Sequence, residues 1–446
     1  MIDGDEMELA GKHVVVVGME KSGRAAVKLL LDQGAKVRAV DEKPHEPVLG
    51  IAVGPQEENS FEGAELVVIS PGVPSDLDLL EQERARGIPV IGELELAAPF
   101  LQGHTIGVTG TNGKTTTTAL IGHILRASGI ACQVGGNIGT PPAAMVTGSR
   151  PDQWNVLELS SFQLETIQSF RATIAVCLNV TQNHLDRHHS FDNYKHAKMR
   201  LFETQTGEDV AILNADDPVT VEFSKHTRAR TIWFSGTRSM RDADAWLDGD
   251  VIRMRGAELL NVRDLRLRGR HNYDNVMAAA LATERAGARL PQIAEACKTF
   301  APVEHRLELV CEIGGVAYYN DSKATSVDAT LKAIDAFPGA LWIILGGKDK
   351  GSDYSVLREP LRAKAHGILL IGAAARKIAT QLGDDTAPIL HCGTLAAAVD
   401  QAHRHAEAGD TILLAPACAS FDQFESFEHR GRVFKELVNA LAEANR

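Results

Sequence analysis

The sequence predicts an α/β protein of three domains, each a mainly parallel sheet covered by helices. Short apolar runs of strand type alternate with stretches of helical periodicity along the chain. That alternation restarts three times, and 446 residues are more than one core organises. The restarts place the expected domains at 1–98, 99–303 and 304–446.

The first segment opens on the run His13-Val14-Val15-Val16-Val17, ended by Gly18. A helix pattern (Ala25, Ala26, Leu29, Leu30) leads to a strand at 36–40 that ends on Asp41. A third strand, 66–69, closes at Ser70-Pro71-Gly72-Val73-Pro74, and 89–91 reads as a fourth. The second segment begins with a strand at 105–108 and a helix pattern carrying Ala119, Leu120, Ile124 and Leu125. Strand runs follow at 155–159, 173–180, 210–213 and 231–234. The polar, strand-like stretch 239–268 suits a small β appendage, and helices are expected at 272–286 and 291–300. The third segment has strands at 341–345, 368–371 and 411–414. Gly18, Ser70, Gly110, Glu158, Asn179, Gly346 and Pro416 all fall at carboxyl ends of strands. In open α/β sheets ligands bind beyond those ends, so the chemistry is expected there, between domains.

Composition narrows the class. Hydrophobic residues at 44% and charged residues at 23% describe a soluble globular chain. A net charge of −12 excludes a general nucleic-acid or polyanion-binding surface, so an anionic substrate must meet local cations or backbone N–H groups. Six scattered cysteines without a CxxC pair read as buried thiols of a reducing compartment. The acidic start MIDGDEMELAGK has no apolar core of a signal peptide, and no run reaches the ~18–20 apolar residues of a membrane span. A cytoplasmic protein is expected, and a monomer.

The stretch Gly110-Thr111-Asn112-Gly113-Lys114-Thr115-Thr116 carries the strongest chemical signal. A strand, a glycine-rich turn with Lys-Thr and then a helix form an anion cradle at a helix N-terminus. Lys114 would reach terminal phosphates and the Thr115 hydroxyl a Mg²⁺ ion. The full pattern wants a glycine where Val108 stands, so the match to a P-loop is imperfect. The turn from Gly18 to Gly23, with Asp41 ending the next strand, lacks the middle glycine of G-x-G-x-x-G. It reads either as a nucleotide-diphosphate site or as a plain connection. Glu158 at a strand end is a candidate Mg²⁺ ligand or a solvated side chain. In 179–189, His184 reads as a lone metal ligand beside a phosphate site, because no partners recur at zinc spacing. Lys195, Lys198 and Arg200 are phosphate clamps or a solvated face. Asn272 is a helix cap or, with Asn275, a partner for a purine edge. The loops 320–325, 346–351 and 416–424 share one sheet edge and make a binding face.

Together these residues resemble the Mur ligase family of ATP-dependent amino-acid ligases, along essentially the whole chain. GTNGKTTT (110–117), GGNIG (135–139), ELSSFQLE (158–165), NVTQNHLDRH (179–188), AKMR (197–200), GRHNYDN (269–275), EHRLE (304–308) and NDSKATS (320–326) follow in the family's order. SPGVP (70–74) and APACASFDQFESFEHRG (415–431) narrow the resemblance to members that add D-glutamate.

The resemblance implies a Rossmann-like first domain binding a UDP-linked substrate, a central P-loop ATPase domain and a Rossmann-like C-terminal amino-acid domain. It implies ATP-driven addition of D-glutamate to UDP-N-acetylmuramoyl-L-alanine through an acyl phosphate, in peptidoglycan precursor synthesis. Lys114 and the loop from Gly110 to Thr116 would hold phosphates, with Asn272, Asn275, His305, Arg306 and Asp321 also serving ATP. Thr115 and Glu158 would hold one Mg²⁺ and His184 a second, supported by Lys198 in carbamoylated form. Lys323, Thr325, Lys350, Ser420 and Phe427 would bind D-glutamate. Asn137, Ser160, Gln163 and His184 would meet the muramoyl-alanine arm, and Gly18, Glu20, Lys21, Ser22, Asp41 and Ser70 the UDP end. A dinucleotide oxidoreductase or a nucleotide-binding regulator on the same fold is the competing class. The broken glycine pattern opposes the first, and Lys114, Glu158, His184 and Lys198 together oppose both. A ligase for another amino acid, such as L-alanine, would differ at 420–427, Lys323 and Lys350.

Overall fold

Runs of β-branched and aliphatic residues build three sheets in chain order. The computed structural model describes residues 8–237, 243–267, 269–301, 304–383 and 385–444. The acidic first residues, both ends of the polar appendage (239 and 268) and the expected boundary at 303 lie outside the described residues.

The first sheet has β1 (His13–Val17), β2 (Lys36–Asp41), β3 (Val53–Pro55), β4 (Leu66–Ile69) and β5 (Val90–Gly92). Its order is β3-β2-β1-β4-β5 and every pairing is parallel. The order in which strands are added reverses between β1 and β4, which is where a doubly wound sheet opens its ligand crevice. Helix Lys21–Asp32 follows β1 and buries Ala26, Leu29 and Leu30 of the expected stripe together with Val27, while Ala25 is half-buried.

The second sheet comprises β6 (His104–Thr109), β7 (Cys132–Gly136), β8 (Trp154–Glu158), β9 (Ile174–Cys177), β10 (Val210–Asn214), β11 (Arg230–Ser235), β12 (Ala245–Asp248), β13 (Val251–Met254) and β14 (Ala257–Asn261). The order is β14-β13-β12-β11-β10-β9-β6-β8-β7. The appendage expected from the polar stretch is an antiparallel extension of this sheet through β12, β13 and β14. Strand β6 pairs with β8 and β9, setting Val108 opposite both Glu158 and Val176. The glycine turn after β6 thus emerges between the ends of β8 and β9.

The third sheet holds β15 (Glu308–Ile313), β16 (Val316–Asn320), β17 (Leu341–Gly346), β18 (Ala365–Ile371), β19 (Ile389–Gly393) and β20 (Thr411–Leu414). Its order is β15-β16-β20-β17-β18-β19, parallel except at β15. The neighbours β16, β20 and β17 carry the three polar loops singled out in the sequence.

The chain packs as two compact units, one reaching to Leu265 with Tyr273–Phe300, the other comprising Arg266–Asn272 and the residues from Ala301 on. In the first unit the two sheets are cemented together. Ala143, from the central segment, joins the core of the first sheet beside Leu96 and Ala97. The buried Glu95 carboxylate accepts the N–H groups of Gln168, Ser169 and Phe170 at 2.9, 2.6 and 3.1 Å.

Candidate active site

Glycine geometry shapes the turn after β6. Gly110 and Gly113 have φ of 147° and 86°, where a β-carbon is disfavoured. A β-carbon on Gly113 would stand 2.2 Å from Asn275 Oδ1, so Asn275 sits directly over the turn. The helix Lys114–Ala127 then begins, its first intrahelical bond running from Thr117 N–H to Gly113 O at 3.0 Å. The preceding N–H groups lie at the positive end of the helix. Lys114 folds back over the turn, its ammonium donating to the carbonyls of Gly110 (2.8 Å) and Thr111 (3.0 Å). The buried Thr116 hydroxyl has no partner.

Asn179 braces this turn from the end of β9. Its carbonyl accepts Thr111 N–H at 2.8 Å, its Oδ1 accepts Asn112 N–H at 2.9 Å, and its Nδ2 donates to Asn112 O at 3.2 Å. Thr111 Oγ1 also lies 3.0 Å from the Tyr194 hydroxyl and accepts Thr181 N–H at 2.9 Å. The N–H groups of Thr111 and Asn112 are therefore engaged in shaping the loop.

A carboxylate and an amine are buried beside the turn. Glu158 ends β8 with one oxygen, Oε1, accepting from Asn137 Nδ2 at 2.9 Å; Oε2 is buried without a partner. A half-used buried carboxylate is costly unless something fills its vacant side. Lys198, on helix Phe191–Glu203, is 1% exposed. Its ammonium donates to Gly110 O at 2.9 Å and lies 4.8 Å from the Tyr194 ring centre. Burial, joined by the Lys114 cation, holds it well below the usual lysine range against the opposing pull of Cys177 and Glu158. Its neighbours on the helix do different work. Lys195 pairs with the exposed Asp192, and Arg200 donates to the carbonyls of Glu165 and Ile167, so neither is a phosphate clamp here.

His184 is exposed, with φ of 53°, and its ring lies edge-on to Phe162 at 5.0 Å. Ser160 and Gln163, expected at the substrate arm, form a capping box at helix Ser161–Leu164. Gln163 Oε1 accepts Ser160 N–H at 3.0 Å and Gln163 N–H reaches Ser160 Oγ at 3.3 Å.

On the first sheet, an open cleft lies beyond the ends of β1, β2 and β4. Gly18, Glu20, Asp41 and Ser70, four of the residues assigned to the UDP end, line it with Lys43, His45, Gln56 and the Gly72-Val73-Pro74 turn. Lys21 and Ser22 open the adjacent helix and are not lining residues. Asp41 accepts the N–H groups of Met19 (2.6 Å) and Lys43 (2.9 Å), and His45 lies at 3.2 Å. Burial pushes its carboxyl up, but those partners outweigh burial and leave it below the usual carboxylate range. It therefore fixes the turn after β1.

In the second compact unit the expected residues gather at the ends of β16, β20 and β17. His305, with φ of 63°, accepts Lys323 N–H on its carbonyl at 3.1 Å, and Asp321 Oδ1 accepts Leu307 N–H at 3.3 Å. Burial pushes the Asp321 carboxyl up to about 6, with Arg306 pulling the other way. The Arg306 Nε is buried without a partner. The Lys323 ammonium lies 5.7 Å from the Phe427 ring centre, and Ser420 is buried in the loop after β20. Thr325 is half-buried, and Lys350 is exposed in the loop after β17. Arg430, which sequence reasoning did not single out, is fully buried beneath these loops. Its guanidinium donates to Ser322 Oγ (3.0 Å), Ser322 O (2.9 Å) and Cys418 O (3.2 Å), tying two of them together. Lys348 N–H bonds Ala419 O at 2.8 Å and joins the third. Asn272 and Asn275 fall in different compact units, the former with His305 and Asp321, the latter with the glycine turn.

The chain is similar to known proteins throughout its length. Family models match residues 12–92 (Mur ligase MurD-like, N-terminal domain), 108–283 (Mur ligase middle domain) and 305–418 (Mur ligase, glutamate ligase domain). It is 58% identical to a UDP-N-acetylmuramoylalanine–D-glutamate ligase of Solibacter usitatus, covering 98% of this chain and 99% of that one. A protein of the same name from Acidobacterium capsulatum is 50% identical, with 97% of each chain covered. Among solved structures, the UDP-N-acetylmuramate–alanine ligase of Thermotoga maritima superposes with a TM-score of 0.63 at 18% identity, covering 96% of this chain and 99% of that one. That likeness shows the shared fold. Matched by three successive family models and at 58% identity over nearly its full length, the chain belongs to the Mur ligase family of ATP-dependent, amide-forming ligases.

Proposed function

We propose that this chain joins D-glutamate to UDP-N-acetylmuramoyl-L-alanine, converting ATP to ADP and phosphate, in peptidoglycan precursor synthesis. The observation that carries the reading is the pair of buried groups flanking the glycine turn: Glu158 with one oxygen vacant, and Lys198 with its ammonium destabilised. Amide formation from a carboxylate needs an activated acyl group. The γ-phosphoryl of ATP passes to the alanine carboxylate, ADP leaves, the D-glutamate amine attacks the acyl phosphate, and phosphate departs from the tetrahedral intermediate. Two anions meet in the first step, so the site's task is to neutralise charge.

The residues divide along the domains proposed at 1–98, 99–303 and 304–446. Lys114, with the helix N-terminus it begins, receives the phosphates, and Asn275 presses on the turn that shapes them. The vacant Glu158 oxygen fits a divalent cation, with Thr115, His184 and Lys198 completing its surroundings. A Mg²⁺ ion held there would supply positive charge that offsets the repulsion between the two anions. Asn137 orients Glu158 through its other oxygen. Burial holds the Lys198 ammonium well below the usual lysine range and so favours the neutral amine, the form that carbamoylation needs: the nitrogen bonds to the carbon of CO₂ and releases a proton. Asp321, Arg306, His305 and Asn272 serve ATP. Lys323 and Lys350 meet the two carboxylates of D-glutamate, with Thr325, Ser420 and Phe427 around them. The cleft on the first sheet takes the UDP end. No helix among the described residues is long and apolar enough to cross a membrane, and the reading is of a cytoplasmic monomer.

Phosphate release from ATP, measured with UDP-N-acetylmuramoyl-L-alanine and each candidate amino acid in turn, tests the proposal. Turnover with D-glutamate is expected. Turnover with another amino acid and none with D-glutamate overturns it.

A further inference from the structure

We propose that Arg187 is a positioning residue that couples occupancy of the first-sheet cleft to the glycine turn after β6. The inference rests on reading that cleft as the nucleotide-substrate site and that turn as the ATP site. The wall Gly72-Val73-Pro74 of the cleft is a turn closed by Val73 N–H to Ser70 O at 2.9 Å, with no sheet partners, so its outward carbonyls depend on side chains for support. Arg187 grips two of them, donating from Nη1 to Gly72 O at 3.2 Å and from Nη2 to Val73 O at 2.5 Å. The rest of the same segment is fastened from the central domain as well. Ser75 Oγ donates to Glu165 Oε2 at 3.2 Å, and Asp76 pairs with His189 at 2.8 Å.

Behind Arg187 a packed series of rings leads to the phosphate loop. The guanidinium carbon lies 4.7 Å from the Phe162 ring centre, a cation–π contact. Phe162 stacks on His188, centres 5.3 Å apart and planes at 18°. His188 is buried, held by Glu165 Oε1 at 2.8 Å and Ser161 Oγ at 2.9 Å. It meets Tyr194 edge-on at 5.2 Å, and the Tyr194 hydroxyl is 3.0 Å from Thr111 Oγ1 in the glycine turn. The backbone here is poised. Helix Leu185–His188 is bracketed by His184 and His189, with φ of 53° and 64°, a region disfavoured for non-glycine residues. The bracketed turn keeps its shape through the contacts just named. A ligand that moves or stiffens the Gly72–Val73 wall therefore acts on Arg187, and through Phe162 and His188 on Tyr194 and Thr111. Coupling of this kind is reciprocal between the two ligands.

The test is calorimetric titration of the full chain with Mg²⁺ and a non-hydrolysable ATP analogue, with and without saturating UDP-N-acetylmuramoyl-L-alanine. In the wild type the second ligand is expected to tighten analogue binding at least about fivefold. In Arg187→Ala that factor falls to about one, while the analogue alone binds within about twofold of wild type. Arg187→Lys, which keeps one carbonyl contact, retains part of the factor. Phe162→Leu removes the ring without touching the carbonyls and lowers the factor too; it carries the test if Arg187→Ala does not fold. A merely structural role would weaken each ligand separately and leave the factor intact, which overturns the proposal. So does a wild type that binds both ligands independently. Failure of the wild type to bind the UDP substrate at all would instead overturn the functional reading on which this one rests.

Discussion

Asn179→Ala is expected to weaken binding of an ATP analogue about thirtyfold with little change in thermal stability. The side-chain amide makes two bonds to the turn, Oδ1 from Asn112 N–H at 2.9 Å and Nδ2 to Asn112 O at 3.2 Å. Each is worth about 1 kcal/mol net, so together they hold the turn by about 2 kcal/mol. If that energy serves to keep the turn in its anion-binding shape, its loss appears in the dissociation constant, and about 2 kcal/mol is about thirtyfold. The Asn179 carbonyl still accepts Thr111 N–H at 2.8 Å in the variant, so the end of β9 stays paired. Asn179→Asp should be weaker again, because a carboxylate oxygen would face the Asn112 carbonyl and add negative charge near the phosphates. Calorimetric titration with Mg²⁺ and the analogue, beside a melting curve, measures both quantities. A dissociation constant within about threefold of wild type in Asn179→Ala, at unchanged stability, would refute the view that this amide preorganises the loop.

Three further predictions concern buried charge. Lys198→Ala is expected to abolish phosphate release, and bicarbonate or short carboxylic acids to restore part of it; full activity in the variant refutes a carbamate role. Arg430→Met removes a buried guanidinium from the Ser322 and Cys418 carbonyls and should cost at least about 3 kcal/mol in denaturant unfolding, with KM for D-glutamate rising more than KM for ATP. An unfolding midpoint equal to wild type would show the arginine is not holding the loops. Asp321 has a folded-state pKa of about 6, above its ordinary 3.8, so its contribution to stability is full below pH 3.8 and is lost as pH rises through 6. Compared with Asp321→Asn, the wild type should lose about 2 kcal/mol between pH 4 and pH 7, and a constant difference across that range contradicts the burial argument.

Which strands were legible follows from where they sit. The strands read from apolar runs, such as β1, β9, β17 and β20, lie inside their sheets, where both faces are covered and the chain must be apolar throughout. The unread β3, β7, β15 and β19 are edge strands with partly exposed sequences such as VGP, CQVGG, ELVCEI and ILHCG, whereas the edge strand β5 is buried throughout and was read; the interior strand β16, followed directly by its polar loop, was not read as a strand. An edge strand needs fewer apolar residues, so it leaves a fainter trace.

The same division holds for the site. The sequence by itself determined the α/β class, the glycine turn with Lys114 and Thr115, and the family, because strand runs and glycine turns are local patterns and the motifs are contiguous. Only the tertiary structure decided how those pieces act on one another. It gave Asn179 the bracing of the glycine turn, engaged Ser160 and Gln163 in a helix cap, and buried Lys198 against Gly110 while leaving one Glu158 oxygen vacant. It also put Arg430 beneath loops more than a hundred residues away in the chain, at Ser322. Burial and hydrogen-bond partnership are properties of neighbours in space, and residues this far apart in sequence become neighbours only when the sheets assemble.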